Sequence, residues 1–244
     1  MSKARIIRVT ELNTSEKHAL LKLHQHYYEN VKSSVFYKDL EQKDFLIVIY
    51  NDREQISGFS TIQLIWLEID DLQHLFLFSG DTVVKEEVRN SPVLAGGFAY
   101  FLHYLIKTYP ENPKHWFLIT KGYRTYRFLP VYFKEFYPTY NRPFSLMHRK
   151  ILDAIAMYKF GNQYNPEDQI IRYYEEKDHL KPEFAEIPGG KLKNPDVAFF
   201  YLKNPGFIHG NEFACIADIS ESNLKPLVGR ILNNTKVSFK EIVQ

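Results

Sequence analysis

"HLFLFSGDTVVKEEVRNSPVLAGGFAYFLHYLIKTYPENPKHWFLIT" occupies residues 74–120, and its reading decides the fold. It opens on an apolar run, "HLFLF" (74–78), that reads as a strand. From Pro92 to Tyr109, the residues Leu94, Phe98, Phe101, Leu102, Leu105 and Tyr109 fall on one helical face. Ser91 suits the N-cap and Pro92 the first helical position. "YPENP" stops the helix, and "HWFLIT" (115–120) is a fresh strand. Strand, helix and strand at this spacing make a β-α-β crossover, which predicts that 115–120 runs parallel to 74–78.

Upstream, "SEKHALLKLHQHYYE" (15–29) has Ala19, Leu20, Leu23 and Tyr27 at helical spacing, with Ser15 as the expected N-cap. "DFLIVIY" (44–50) is a short apolar strand ending at the turn "NDREQ", and "ISGFSTIQLIWLEI" (56–69) is a long β-branched one. With 74–78 they predict an antiparallel meander. Downstream, 123–137 reads as a second helix that Pro130 kinks or splits. "FSLMHRKILDAIAMYKFG" (144–161) is an amphipathic helix ended by Gly161, and "ACIADI" is strand-like. The expected class is therefore α/β. A mixed sheet, meander plus crossover, fills residues 1–142, and an α+β elaboration or lid fills 143–244.

Composition narrows the function classes. The 244 residues are 45% hydrophobic and carry a net charge of +2, so global charge argues for neither nucleic acid nor membrane. Cys215 is the only cysteine, which excludes an intrachain disulfide and a zinc-thiolate cluster within one chain. Its apolar setting reads as buried and inert. "HQH" (24–26) lacks metal-ligand spacing, and "IPGGKLKNP" (187–195) lacks that of a nucleotide loop. "MSKARIIRVTEL" has no signal-peptide core, and a cytoplasmic soluble protein is expected.

These elements, in this order, resemble the GNAT superfamily of acyl-CoA-dependent N-acyltransferases over roughly residues 5–140. In that family the strand before the central helix ends in V-x-P-x-x-R-G-x-G-x-G/A, which holds the coenzyme A pyrophosphate. Here the segment runs from Val84 to Leu94. Arg89 stands in register with the family's arginine, and Pro92 and Leu94 occupy the places of two later glycines. The resemblance implies an acyl-CoA cofactor, acetyl-CoA or another, held at Arg89, Asn90, Ser91 and Val93. Lys121 and Arg124 of "TKGYRTYR" (120–127) would flank the pantetheine and the adenosine phosphate. Tyr132 of "VYFKEFY" would protonate the departing thiolate, and Asp81, Glu68 or His74 would be the base. The oxyanion donor would be a backbone N–H where strands 74–83 and 115–120 part.

What the resemblance implies is acyl transfer from a coenzyme A or carrier-protein thioester to the amine of a small molecule or protein, with no membrane partner. Plainer readings stand beside it. Arg89 can form a surface ion pair with Glu86 or Glu87, and Tyr132 is one of nine aromatics between 121 and 149. The same fold could also bind a ligand or partner without catalysis, or the 121–149 cluster could bind nucleic acid.

Overall fold

In the computed structural model, which describes residues 2–89, 91–173 and 177–239, the meander forms as expected. β2 (Phe45–Tyr50), β3 (Ile56–Ile69) and β4 (Leu72–Val84) pair antiparallel, each with the next, and β1 (Lys3–Arg8), a strand the sequence did not announce, pairs antiparallel with β2. β3 and β4 meet at Asp70 and Asp71, whose φ values of 52° and 61° suit a two-residue hairpin turn. α1 (Thr14–Tyr27) and α2 (Ser33–Glu41) lie between β1 and β2 in the chain. Asn13, not Ser15, caps α1, in a capping box with Glu16.

The crossover follows as predicted. α3 (Val93–Thr108) leads to β5 (Lys114–Thr120), parallel to β4 from Leu75↔Lys114 to Ser79↔Leu118. Its N-cap position is Pro92 rather than Ser91, whose hydroxyl pairs with Ser2 Oγ at 3.0 Å. Gly96 and Gly97 let α3 lie close on its neighbours. A Cβ on Gly97 would stand 2.4 Å from Ile47 Cγ2, and one on Gly96 would stand 2.6 Å from Thr235 Cβ.

The rest of the chain adds α4 (Leu146–Phe160), β6 (Tyr164–Asn165), β7 (Ile170–Ile171), α5 (Pro195–Lys203), β8 (Glu212–Asp218), α6 (Pro226–Asn234) and β9 (Val237–Phe239). The sheet runs β9-β1-β2-β3-β4-β5-β8-β7-β6. The strands β6 to β9, all beyond residue 143, thus belong to the same sheet as the meander. β8 is almost entirely buried, and its apolar run needs a neighbour on each edge, supplied by β5 and β7. The helix expected over 123–137 is a pair of short turns, Tyr123–Tyr126 and Phe128–Tyr132, followed by extended chain. Tyr137 exchanges backbone hydrogen bonds with Ile216 of β8, a partner that sequence periodicity cannot reveal.

Two groups of helices share one face of the sheet. Leu20, Leu23, Phe36 and Leu40 of α1 and α2 pack on Leu46, Val48, Phe59 and Val83. Ile151, Leu152 and Ile155 of α4 pack on Phe76, Phe117, Ala214 and Ile216. α3 covers the other face, with Phe98, Phe101 and Leu102 against Ile47, Leu77 and Trp116. Among the described residues no helix is long and apolar enough to cross a membrane.

Gly97→Ala should lower stability by about 1–2 kcal/mol in denaturant unfolding, because the stiff, fully buried Ile47 cannot yield cheaply to the new methyl group. A variant as stable as the wild type would show that α3 can move off the sheet.

Candidate active site

β4 and β5 are joined only as far as Ser79↔Leu118, where Trp116 Nε1 donates to Ser79 Oγ at 2.8 Å. Beyond that rung the strands part. β4 carries a bulge there: Ser60↔Thr82 is followed by Ile62↔Ser79, so Gly80 and Asp81 stand opposite Thr61 alone. A bulge of this kind leaves a backbone group out of the ladder and re-aims its side chains. A Cβ on Gly80 would lie 2.6 Å from Thr61 Oγ1 and 3.0 Å from Lys43 Cε, so glycine is what lets the Lys43 stem cross the bulge.

The gap opens a cleft of about 1150 Å³. α1 and α2 wall one side and the C-terminal end of α4 another. The bulge, the start of α3, the segment after β5 and the residues Tyr173, Lys177, Asp178 and Leu180 complete it. Its floor is a buried charged cluster. His24 Nε2 lies 3.2 Å from Asp178 Oδ2, and His24 Nδ1 faces Asp81 Oδ2 at 3.7 Å. Lys121 Nζ donates to Asp178 Oδ2 (3.0 Å) and to the Asp178 carbonyl (2.9 Å), and it lies 3.4 Å from Glu212 Oε1. The Tyr173 hydroxyl donates to Glu212, and Tyr28 stacks on His24 at 4.3 Å.

The two aspartates are driven apart. Burial raises the Asp81 carboxyl above its usual range, and His24 only partly offsets this. Burial acts the same way on Asp178, but Lys121 and His24 overcome it and hold that carboxyl far below the usual range. Lys121 loses solvation yet is held above the ordinary lysine value by Asp178 and Glu212. The result is a permanent ion pair beside a carboxyl group poised to exchange a proton, the pattern that separates structural from acid-base groups. His24, Asp81 and Asp178 place ligand atoms within 4.8 Å of one another. They do not suit one cation, because His24 turns opposite nitrogens to the two carboxylates and Lys121 already occupies Asp178.

Of the residues named from sequence, Asp81, Arg89, Ser91, Lys121 and Arg124 line the cleft. Arg89 is paired with Glu86 at 3.3 Å, and its guanidinium lies over Tyr27. Arg124 donates to the Phe184 carbonyl at 3.3 Å and stacks on Tyr123. Lys121 is buried between two carboxylates, which makes it a structural counter-ion rather than a free phosphate ligand. Asn90 lies outside the described residues.

The others fall elsewhere. Tyr132 is fully buried on Trp116, and its hydroxyl donates to the Ala95 carbonyl at 2.8 Å. Glu68 is an exposed residue at the far hairpin, accepting from Gln73. His74 lies at that same end of β4, in a buried chain with His115 (2.9 Å) that continues to Asp218. Val93 turns its side chain into the core, as does Cys215, whose thiol burial pushes well up. Sequence reading missed His24 and Asp178. His24 shares the apolar face of α1 with Leu20, Leu23 and Tyr27, which is a usable signal. Asp178 sits in a polar loop with none.

No family model matches the chain, and no curated protein matches it. Among solved structures it is similar to an Enterococcus faecalis protein of unknown function, a probable N-acyltransferase, at 13% identity and a TM-score of 0.43. That match covers 64% of this chain and 43% of the other, so the chain spans less than half of that relative's length. It is also similar to Escherichia coli ElaA (19% identity, TM-score 0.37, 60% of this chain and 95% of that one). A third is the Escherichia coli GNAT family N-acetyltransferase YhbS in complex with CoA (11% identity, TM-score 0.43, 99% and 91%).

Asp178→Asn should cost about 3 kcal/mol, since it leaves Lys121 buried with less compensation. Asp81→Asn should act in the opposite direction. A carboxyl whose folded pKa is raised contributes stability at low pH and loses it as pH rises through that pKa, so an amide relieves the folded state at neutral pH. Thermal melts at neutral pH should therefore move down for Asp178→Asn and up for Asp81→Asn. Equal shifts would contradict the assigned charge states.

Proposed function

We infer that this cleft transfers an acyl group from a coenzyme A thioester to an amine. The observation that carries the reading is the Asp178–His24–Asp81 line at the point where β4 and β5 separate. The thioester would lie between the parted strands, and the acceptor amine would approach Asp81. Asp81, with His24 behind it, takes the amine proton as the nitrogen attacks the carbonyl carbon. Asp178 holds the His24 ring, a positioning role. The N–H groups around the bulge at Gly80–Thr82 supply donors for the oxyanion of the tetrahedral intermediate. Collapse of that intermediate breaks the C–S bond, and the thiolate takes a proton. Tyr28, a phenol that lines the cleft, fits that step better than Tyr132, whose hydroxyl is held by the Ala95 carbonyl in the core.

The nucleotide end of the donor would sit against α3. Pro92 has no N–H, but those of Val93, Leu94 and Ala95 have no acceptor within the helix, and they favour an anion. Arg89 would leave Glu86 for a phosphate, an exchange of a weak exposed pair for a stronger charge-assisted one. A pantetheine-bearing carrier protein offers the same thioester.

Calorimetry with acetyl-CoA and a long-chain acyl-CoA should show binding, and Arg89→Ala should weaken it about tenfold or more, in line with loss of a charged hydrogen bond. Binding of neither donor would remove the reading. In turnover, the rate should rise with pH as Asp81 loses its proton, and Asp81→Asn should abolish that limb together with most of kcat. An unaltered profile in the variant would exclude Asp81 as the base.

A further inference from the structure

Glu212 opens β8 ahead of five apolar residues, Phe213 to Ala217, and its carboxylate is buried. A carboxylate in such a place is costly unless it is paired. Lys121 Nζ lies 3.4 Å from Oε1, Lys177 Nζ lies 3.8 Å from Oε2, and the Tyr173 hydroxyl donates to Oε2. Lys121 is shared, because its Nζ also donates to the carboxylate and the carbonyl of Asp178, at 3.0 and 2.9 Å. From Glu212 the contacts run through Lys121, Asp178 and His24 to Asp81, the last two at 3.2 and 3.7 Å. Among the described residues, the groups that act most on the Asp81 carboxyl are His24 from α1, Asp39 from α2, Asp178 and Lys121. His24 and Lys121 favour the carboxylate, while Asp39 and Asp178 oppose it. Asp39 is itself bound to Lys43 at 2.6 Å. Of these four groups only Lys121 is a permanent cation, so a charge that offsets Lys121 is felt at Asp81.

Resting on the acyl-transfer reading, in which Asp81 takes the amine proton, we propose that Glu212 is a positioning residue that sets the proton affinity of Asp81 through Lys121. The Glu212 charge offsets part of the lysine field at Asp81. Asp81 then binds a proton strongly enough to act as a base near neutral pH, where a carboxylate of ordinary affinity is a poor one. Removing the Glu212 charge makes the cluster more positive by one unit. Asp81 then gives up its proton at lower pH and becomes a weaker base toward the attacking amine. Glutamine at position 212 makes this change at nearly constant shape, since its amide oxygen still accepts from Lys121 and Tyr173.

Two readouts test this, one independent of turnover. The carboxyl carbon signal of Asp81 in the whole protein, assigned by its loss in Asp81→Asn, gives the protonation midpoint by NMR titration. In Glu212→Gln that midpoint should fall by about 0.5–1 pH unit, the size expected of a unit charge acting across a few contacts at an effective dielectric of about 20. Glu212→Asp, which keeps the charge, should hold it near the wild-type value. With acetyl-CoA and the primary amine turned over fastest, the acid limb of kcat/KM should move down by the same amount in Glu212→Gln. Lys177→Met, at a partly exposed side chain, gives a second variant of opposite sign. It frees Glu212 of its other cation, and the midpoint should rise. Tyr173→Phe loosens Glu212 without changing its charge, so an equal fall in that variant would overturn the proposal. A midpoint unmoved in both Glu212→Gln and Lys177→Met would also overturn it, while leaving acyl transfer intact. Midpoints that move as stated, with no turnover of any amine, would sustain the role of Glu212 and remove the acyltransferase reading.

Discussion

Everything in the cleft depends on β4 and β5 being held together as far as Ser79↔Leu118 and no further. The last rung is locked from the side by the Trp116–Ser79 hydrogen bond, deep in an aromatic core that fixes both strands. Beyond it, the bulge at Gly80–Asp81 turns β4 toward β3, while β5 continues to pair with β8 as far as Thr120↔Phe213. One strand is thus claimed by each side. A parallel pair that separates inside a sheet exposes backbone donors where a pair in register would bury them. The side chains at the fork enter a space that is sheltered yet reachable.

Sheltering is what makes the charged cluster possible. In water Asp81 and Asp178 would titrate alike. Here Lys121 and Glu212, delivered by the end of β5 and the start of β8, complete an ion-pair network around Asp178, while Asp81 faces His24 and feels Lys121 less than it feels His24. The same geometry that opens the fork therefore gives one aspartate more of the counter-ions than the other. Lys43 belongs to this arrangement through Gly80, since its stem passes where any other residue would carry a side chain. The strand that carries Asp81 thus also carries the path of the Lys43 cation.

The sheet from β2 to β5 was readable in the sequence because each strand is a contiguous apolar run between turn residues, and α3 shows clean helical spacing, whereas β1 (KARIIR) carries no such run. The span 56–69 and the parallel pairing of 115–120 are found as read. The second half was much less legible. β8 reads as a strand, but that it fills the place beside β5 is a contact about one hundred residues distant, with no local trace. The cluster shows the same limit. Asp81, Arg89 and Lys121 lie near the crossover and could be named from it. His24 and Asp178 come from α1 and a late loop, and only the folded chain joins them. Tyr132 misled because an aromatic segment that suits a cleft suits a core equally well, and here its hydroxyl is spent on Ala95. Glu68 misled because a long strand has two ends, and it sits at the wrong one.

The most direct measurement is a crystal structure grown with coenzyme A. The account predicts the thiol between the separated strands, against the Gly80–Thr82 backbone and near Asp81, with the pyrophosphate at the start of α3 beside Arg89. Coenzyme A bound elsewhere on the surface, with the fork and the Asp178–His24–Asp81 line untouched, would contradict it.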